Sequence, residues 1–357
     1  MFRNFNGMDY LENDHGGNGH VLEKILGKNI IDFSANINPL GLPIYAKEIL
    51  RDSIKEILKY PDPNYDLLLK KISNKINIPM DNILLGNGSV DLIYLIASVI
   101  NPKRTQITVP TFSEYEKAAI NSGSEIFYQL LYEKENFDFY KESKKEFNME
   151  FYCNPNNPTG NFLFNNKENI NRNSNCIYVI DEAFMEFSDR ETEFSMLQKA
   201  IRSNNIIVLR AFTKIYAIPG LRIGYLVANR SIVRKLKQKM PPWSINVIAQ
   251  NLTMRMLDDV KYVEDTRNLI CEERDRLQLK LSEIKGIKTF LSEANWLLVK
   301  LEKNKISALT LKKRLLERGL LIRSCGNFKG LGDRFFRIAI RKRKENNILL
   351  KNLMDIL

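Results

Sequence analysis

The sequence predicts an α/β fold with a mainly parallel sheet, and three observations carry that expectation. Short apolar, β-branched runs alternate with helical patterns through the middle of the chain. Several of those runs end on turn-forming clusters, among them Gly86-Asn87-Gly88-Ser89 and Asn154-Pro155-Asn156-Asn157-Pro158-Thr159-Gly160. Beyond about Val247 the rhythm changes to a long amphipathic stretch followed by mixed strand and helix signals, which reads as a smaller α+β domain. At 357 residues the chain can bury a large core and form one large and one smaller domain.

In chain order, the strand runs of the first part are 83–85, 105–109, 150–153, 176–180, 206–209 and 223–228. Each is a short apolar run of the kind a strand covered on both faces requires. Apolar residues recur at helical spacing between several of them, including 90–100 and 114–122. In the second part, 247–284 is the long amphipathic stretch. It is followed by a strand at 296–301, a helix near 306–318, strands at 320–323 and 335–340, and a terminal helix.

Composition excludes several classes. With 44% hydrophobic and 27% charged residues the chain is an ordinary folded protein. No apolar run approaches the ~20 residues that cross a bilayer. No apolar signal core follows Met1, so a cytoplasmic protein without a membrane partner is expected. Cys153, Cys176, Cys271 and Cys325 lie far apart, and His15 and His20 are the only histidines, so no metal site is expected. Unpaired cysteines suit a reducing compartment. The net charge of +12 raises nucleic acid as a partner, but basic residues alternate with acids, as in Lys47-Glu48 and Glu272-Glu273-Arg274. The Arg341-Lys342-Arg343-Lys344 cluster reads as a solvated face. A small anionic substrate is the expected use of the basic residues.

Lys214 lies in the run Arg210-Ala211-Phe212-Thr213-Lys214, with Arg222 eight positions on and an apolar run on each side. A lysine that bonds a carbonyl cofactor must sit on ordered structure and be partly desolvated, so that its amine can be neutral. A hydroxyl and an arginine nearby suit a cofactor phosphate. By itself such a lysine could equally be a surface charge. Gly86-Asn87-Gly88-Ser89 opens a helix, whose free N–H groups could cradle an anion; an ordinary strand-to-helix turn would look the same. The proline-rich turn around Asn157 could fix an amide at the C-terminal edge of a sheet, or be only a rigid turn. Asp181, ending an apolar run, could hold a proton on a pyridine nitrogen or serve as a helix cap.

Taken in order, the Gly-Asn-Gly-Ser turn, Asn157, Asp181, Lys214 and Arg222 resemble the fold-type-I enzymes that use pyridoxal 5′-phosphate, over essentially the whole chain. Gly86-Asn87-Gly88-Ser89, Asn156-Asn157-Pro158-Thr159-Gly160 and Gly220-Leu221-Arg222-Ile223-Gly224 resemble the histidinol-phosphate aminotransferase branch. His15-Gly16-Gly17-Asn18, the ten residues from Asp32 to Gly41, Tyr60-Pro61-Asp62 and Pro242-Trp243-Ser244-Ile245-Asn246 are similar to the threonine-phosphate decarboxylases of the cobalamin pathway, the most specific being the first two.

The resemblance implies a large domain (46–245) with a mainly parallel seven-stranded sheet and a small domain (246–357). An N-terminal arm (1–45) would pack with the small domain and over the active site. It implies Lys214 as the lysine that bonds the cofactor aldehyde, Asp181 as partner of the ring nitrogen and Asn157 as partner of the phenolic oxygen. Phe112 would stack on the ring, with Tyr115 the second candidate. Gly88, Ser89, Thr213 and Arg222 would hold the phosphate, and Tyr60 would reach the phosphate of a second subunit in a homodimer with shared active sites. Arg337 would grip the substrate carboxylate, and His15, Asn36 and Arg323 would join it in binding a small phosphoamino acid. Two departures stand out. Aminotransferases of this branch usually carry tyrosine where Phe184 stands, so a second donor to the phenolic oxygen is missing, as it is in the decarboxylase pattern; Ala211 replaces a hydroxyl residue often seen three before the lysine.

Whether the Cα–carboxylate or the Cα–H bond breaks depends on geometry. The expected reaction is decarboxylation of L-threonine O-3-phosphate to (R)-1-amino-2-propanol O-2-phosphate for the cobalamin side chain. The alternatives are L-serine O-phosphate decarboxylation to ethanolamine phosphate and histidinol-phosphate transamination. A regulator built on the same fold would need an added helix-turn-helix domain, for which the residues before Asp32 are too few, so an enzyme is expected.

Overall fold

A computed structural model describes residues 15–138, 146–164, 173–302 and 306–357; residues 1–14 of the expected N-terminal arm lie outside the described residues. The strands in chain order are β1 (Ile31–Asp32), β2 (Ile83–Gly86), β3 (Arg104–Val109), β4 (Glu125–Leu130), β5 (Met149–Cys153), β6 (Ile177–Asp181) and β7 (Ile206–Ala211). They continue with β8 (Gly224–Ala228), β9 (Ile287–Thr289), β10 (Trp296–Leu301), β11 (Leu320–Leu321), β12 (Arg323–Ser324) and β13 (Phe335–Ala339).

A seven-stranded sheet runs in the order β2-β8-β7-β6-β5-β3-β4, and only β8 runs against its neighbours. The apolar runs of β2, β7 and β8 are buried along their whole length because helices cover both faces. Alternate side chains feed different cores: Ile207 and Leu209 pack with Leu92 and Ile96 on one face, while Ile206 and Val208 pack with Ile180 and Ile215 on the other.

Six strands of this sheet match the sequence reading to within a few residues, and β4 adds the seventh. β4 is an edge strand with exposed Glu125, Tyr128 and Leu130, so its polar, half-solvated pattern gave no buried-strand signal.

The second sheet is antiparallel, in the order β12-β13-β10-β9. The expected strand at 320–323 is two strands: Leu320 and Leu321 pair with Ile31 and Asp32 of β1, whereas Arg323 and Ser324 pair with Arg337 and Phe336 of β13. The N-terminal segment is thereby joined to the C-terminal part of the chain. The long amphipathic stretch is also two helices, Val247–Met256 and Val260–Ser282. The Asp259 carboxylate caps the second by accepting from the Tyr262 N–H at 3.1 Å, which explains the break. Among the described residues no helix is long and apolar enough to cross a membrane.

This topology fixes where chemistry can occur. β2, β3, β5, β6 and β7 share one direction, so Gly86, Val109, Cys153, Asp181 and Ala211 end at one edge of the sheet. Segments leaving the C-terminal ends of parallel strands are where ligands bind in such folds.

Candidate active site

A cavity of about 870 Å³ opens at that edge. Of the residues singled out in the sequence, His15, Asn36, Ser89, Phe112, Tyr115, Asn157, Asp181, Thr213, Lys214, Arg222, Arg323 and Arg337 line it. Gly88 stands just behind Ser89. Tyr60 does not belong to the cavity of its own chain: it is 81% exposed and packs against Trp243 with ring centroids 4.8 Å apart.

Lys214 sits in the single helical turn Phe212–Ile215 that follows β7. Burial pulls its ammonium pKa down to about 8, and the Arg222 and Arg337 guanidiniums add to the effect, against the opposing pull of Asp181. The amine reaches towards the Phe184 ring, 6.0 Å from its centroid. A substantial neutral fraction near neutral pH is what attack on a carbonyl requires.

Asp181 is the last residue of β6 and is 5% exposed. Burial raises its pKa, while the Tyr115 hydroxyl at 2.8 Å and the Ala183 N–H at 2.9 Å oppose that by donating to its two oxygens. Tyr115 therefore stands behind the carboxylate. Its ring also stacks on Phe151, 5.1 Å away and 6° from parallel, although the residue still lines the cavity. Phe112 lines the cavity too, edge-on to Tyr115.

The turn after β5 is held by Asn156, which donates to the Pro110 carbonyl at 3.0 Å and to the Thr159 hydroxyl at 2.7 Å. Trp296 Nε1–H donates to the Pro158 carbonyl at 2.8 Å, tying this turn to β10. Asn157 is consequently fixed at the cavity wall. Its Oδ1 accepts from Arg337 Nη1, which leaves the amide N–H donors for the cavity.

The anion end is the N-terminus of the helix Ser89–Ile100. Gly88 has φ 85°, which favours glycine, and a Cβ there would lie 2.4 Å from Arg222 Nη2 and displace that guanidinium. Gly224 is constrained by space: a Cβ would come within 2.7 Å of the Arg210 carbonyl oxygen and 2.9 Å of the Ser89 N, and this close approach of β8 brings the turn and Arg222 together.

The opposite wall is cationic. Arg323 and Arg337 are register partners on β12 and β13, 4% and 6% exposed. Arg337 Nη2 donates to the Ser34 carbonyl at 2.9 Å, and its buried Nε has no partner among the described residues. Arg323 Nη2 donates to Asn327 Oδ1 at 2.8 Å. Asn36 Oδ1 is buried and also unpartnered among the described residues. His15 is held over Phe112 (5.6 Å between centroids) by a 2.9 Å contact with Glu114.

Arg341 is not part of a solvated face, as its basic cluster led us to expect. It lines the cavity, donates to the Asp32 carbonyl at 3.1 Å and pairs with Glu345 at 2.7 Å. Tyr115 as the partner of Asp181, together with Glu114 and Arg341, were the functional neighbours that sequence reasoning missed. No local signal marks them, because each acts on a group distant in the chain.

A cofactor with an aldehyde, a phenolic oxygen, a ring nitrogen and a phosphate fits this donor set. Lys214 supplies the amine, Asn157 an amide donor and Asp181 a buried carboxylate. Ser89, Thr213, Arg222 and the helix N-terminus could hold the phosphate.

Residues 28–353 match the family described as "Aminotransferase class I and II". The chain is 35% identical over 356 residues to the threonine-phosphate decarboxylase of Salmonella typhimurium, covering 96% of both chains. A crystal structure of the histidinol-phosphate aminotransferase from Clostridium acetobutylicum superposes with a TM-score of 0.83 at 34% identity, covering 91% of this chain and 98% of that one. The L-threonine-O-3-phosphate decarboxylase from Porphyromonas gingivalis superposes with a TM-score of 0.82 at 25% identity, covering 90% and 98%. The chain therefore belongs to the aminotransferase class I and II family, with the fold-type-I architecture and the pyridoxal 5′-phosphate cofactor of that family.

Proposed function

We propose that this enzyme decarboxylates L-threonine O-3-phosphate to (R)-1-amino-2-propanol O-2-phosphate, in the cytoplasm, for the cobalamin side chain. The observation that carries the reading is the pairing of Arg323 with Arg337 in one cavity wall, both buried. Two guanidiniums, joined by His15 and Asn36, suit a substrate with two anionic groups, a carboxylate and a phosphate ester. The likeness to threonine-phosphate decarboxylases and the phenylalanine at position 184 support the same choice.

Bound pyridoxal phosphate supplies an electron sink for the pair released when a bond to the substrate Cα breaks. The chain supplies the rest. Asp181 would keep a proton on the ring nitrogen, Asn157 would donate to the phenolic oxygen, and Phe112 would cover a ring face. Arg337 would hold the substrate carboxylate and Arg323 its phosphate, fixing the orientation of the substrate and so which Cα bond is presented for cleavage. The Lys214 amine, which would hold the cofactor in the absence of substrate, would deliver the proton that replaces carbon dioxide on Cα. Residues of the segment from His15 to Ile37 line the same cavity and would help to shield this exchange from water.

The functional unit is proposed to be a homodimer in which Tyr60 completes the partner's phosphate site. Its exposure, with Leu58, Ile57 and Trp243 also exposed, supports that reading.

The testing experiment supplies holoenzyme with phosphothreonine, phosphoserine, or histidinol phosphate plus 2-oxoglutarate. Carbon dioxide from phosphothreonine without a keto acid is the expected result. Glutamate formation in the third mixture, with no carbon dioxide in the others, would favour the aminotransferase reading. Phosphothreonine and phosphoserine differ by one methyl group, for which a pocket discriminates by ~1–3 kcal/mol.

A further inference from the structure

The segment from Cys325 to Leu331 shapes one side of the Arg323 head. Asn327 Oδ1 accepts from Arg323 Nη2, and the Phe328 ring lies under the guanidinium with Cζ 5.3 Å from its centroid. Two backbone bonds, Phe328 N–H to the Cys325 carbonyl and Leu331 N–H to the Phe328 carbonyl, both 3.0 Å, give the segment its turn. Through Lys329 the turn is also anchored on a different part of the fold. Lys329 Nζ lies 3.6 Å from the centroid of the Tyr128 ring on β4 and 3.8 Å from Glu116 Oε1. The Tyr128 hydroxyl donates to the same Glu116 oxygen at 2.8 Å, so cation, ring and carboxylate form a closed triad. Gly330 lies beside Pro110 and Leu130, where a Cβ would sit 3.5 Å and 3.6 Å from their side chains.

We infer that Lys329 is a positioning residue: clasped by Glu116 and Tyr128, it holds the 325–331 turn against the large sheet and so aims Arg323 at the anionic group of the substrate. Arg323 belongs to the small antiparallel sheet and the cofactor-binding residues to the large one. The distance between anion grip and reacting carbon is therefore set by contacts that cross between the two sheets. The clasp is one such contact, and it acts on the substrate without touching it. The inference rests on the proposed phosphoamino-acid reading of the site.

The test uses holoenzyme with four substitutions: Lys329→Met, Lys329→Arg, Glu116→Gln and the Lys329→Met/Glu116→Gln pair. Two quantities are measured: steady-state decarboxylation of phosphothreonine, and hydrogen exchange of the 325–331 backbone. A partly exposed ion pair and a cation–π contact together lead us to expect KM to rise about fivefold in Lys329→Met with kcat within about twofold. Exchange at 325–331 should quicken by about the same factor. Lys329→Arg should restore both values, and the double variant should be no worse than Lys329→Met. Unchanged exchange and unchanged KM in Lys329→Met would overturn the inference, as would a fall in kcat at constant KM. If wild-type enzyme releases no carbon dioxide, the functional reading fails while the exchange arm still decides whether the clasp holds the turn.

Discussion

The Tyr115 hydroxyl donates a 2.8 Å hydrogen bond to Oδ2 of Asp181, and both groups are buried. Burial alone would push the carboxyl towards its neutral form, useless as the partner of a protonated ring nitrogen. Tyr115 and the Ala183 N–H favour the charged form and fix its direction.

Tyr115→Phe keeps the stack on Phe151 and removes only the donor. A hydrogen bond to a charged acceptor contributes about 1.5–3 kcal/mol, so cofactor affinity should fall by about ten- to a hundredfold. Titration of the apoprotein with pyridoxal phosphate, followed by absorbance, measures this. Unchanged affinity would show that Asp181 needs no help from Tyr115.

Lys214 carries an opposite cost. Its folded pKa of about 8 lies below the ordinary 10.5, so between those values the unfolded chain binds the extra proton. Stability of the cofactor-free chain should therefore rise with pH across that window. Lys214→Met should stabilise the apoprotein by about 1–3 kcal/mol at pH 7, allowing for the partial solvation of the side chain. The advantage should close as pH rises from 8 to 10.5, which urea denaturation of both proteins at several pH values would reveal. The same substitution should abolish borohydride-trapped cofactor on the peptide containing residue 214.

Strand-end chemistry was legible in the sequence where a local pattern reports it. Asp181 and Lys214 follow short apolar runs read as buried strands, and Asn157 lies in a turn of unusual composition. Structure that depends on distant partners was not legible. The edge strand β4 looks polar, and Arg341 reads as one more surface charge until Asp32 is placed beside it; the break in the 247–284 stretch, by contrast, has a local signal in Asp259, three residues before Tyr262.

A buried ion network offers a test of the fold. Arg210, 1% exposed, donates to Glu182 at 2.9 Å and to Glu191 at 2.7 Å, immediately behind the Lys214 turn. Arg210→Met leaves Glu182 buried without its partner and should destabilise the protein by about 3–5 kcal/mol. Adding Glu182→Leu should recover much of that loss. A lower urea midpoint in the single variant, reversed in the double, would bear this out.

Arg337 should behave as a binding residue. Arg337→Met removes a charge-assisted fork, and a loss of about 1.5–3 kcal/mol corresponds to a KM for phosphothreonine raised by about ten- to a hundredfold. Arg337→Lys should recover only part, because a point charge cannot reproduce the bonds to Asn157 and Ser34 as well as the substrate. Steady-state kinetics of both variants would check this; equal KM in all three proteins would remove Arg337 from the site.

The central claim concerns which Cα bond breaks. The most direct measurement is simultaneous recording of carbon dioxide and cofactor absorbance as holoenzyme meets phosphothreonine in the absence of any keto acid. The account predicts many turnovers of carbon dioxide, with the cofactor remaining in its aldehyde form. A single turnover that converts the cofactor to its amine form, with no carbon dioxide, would contradict it.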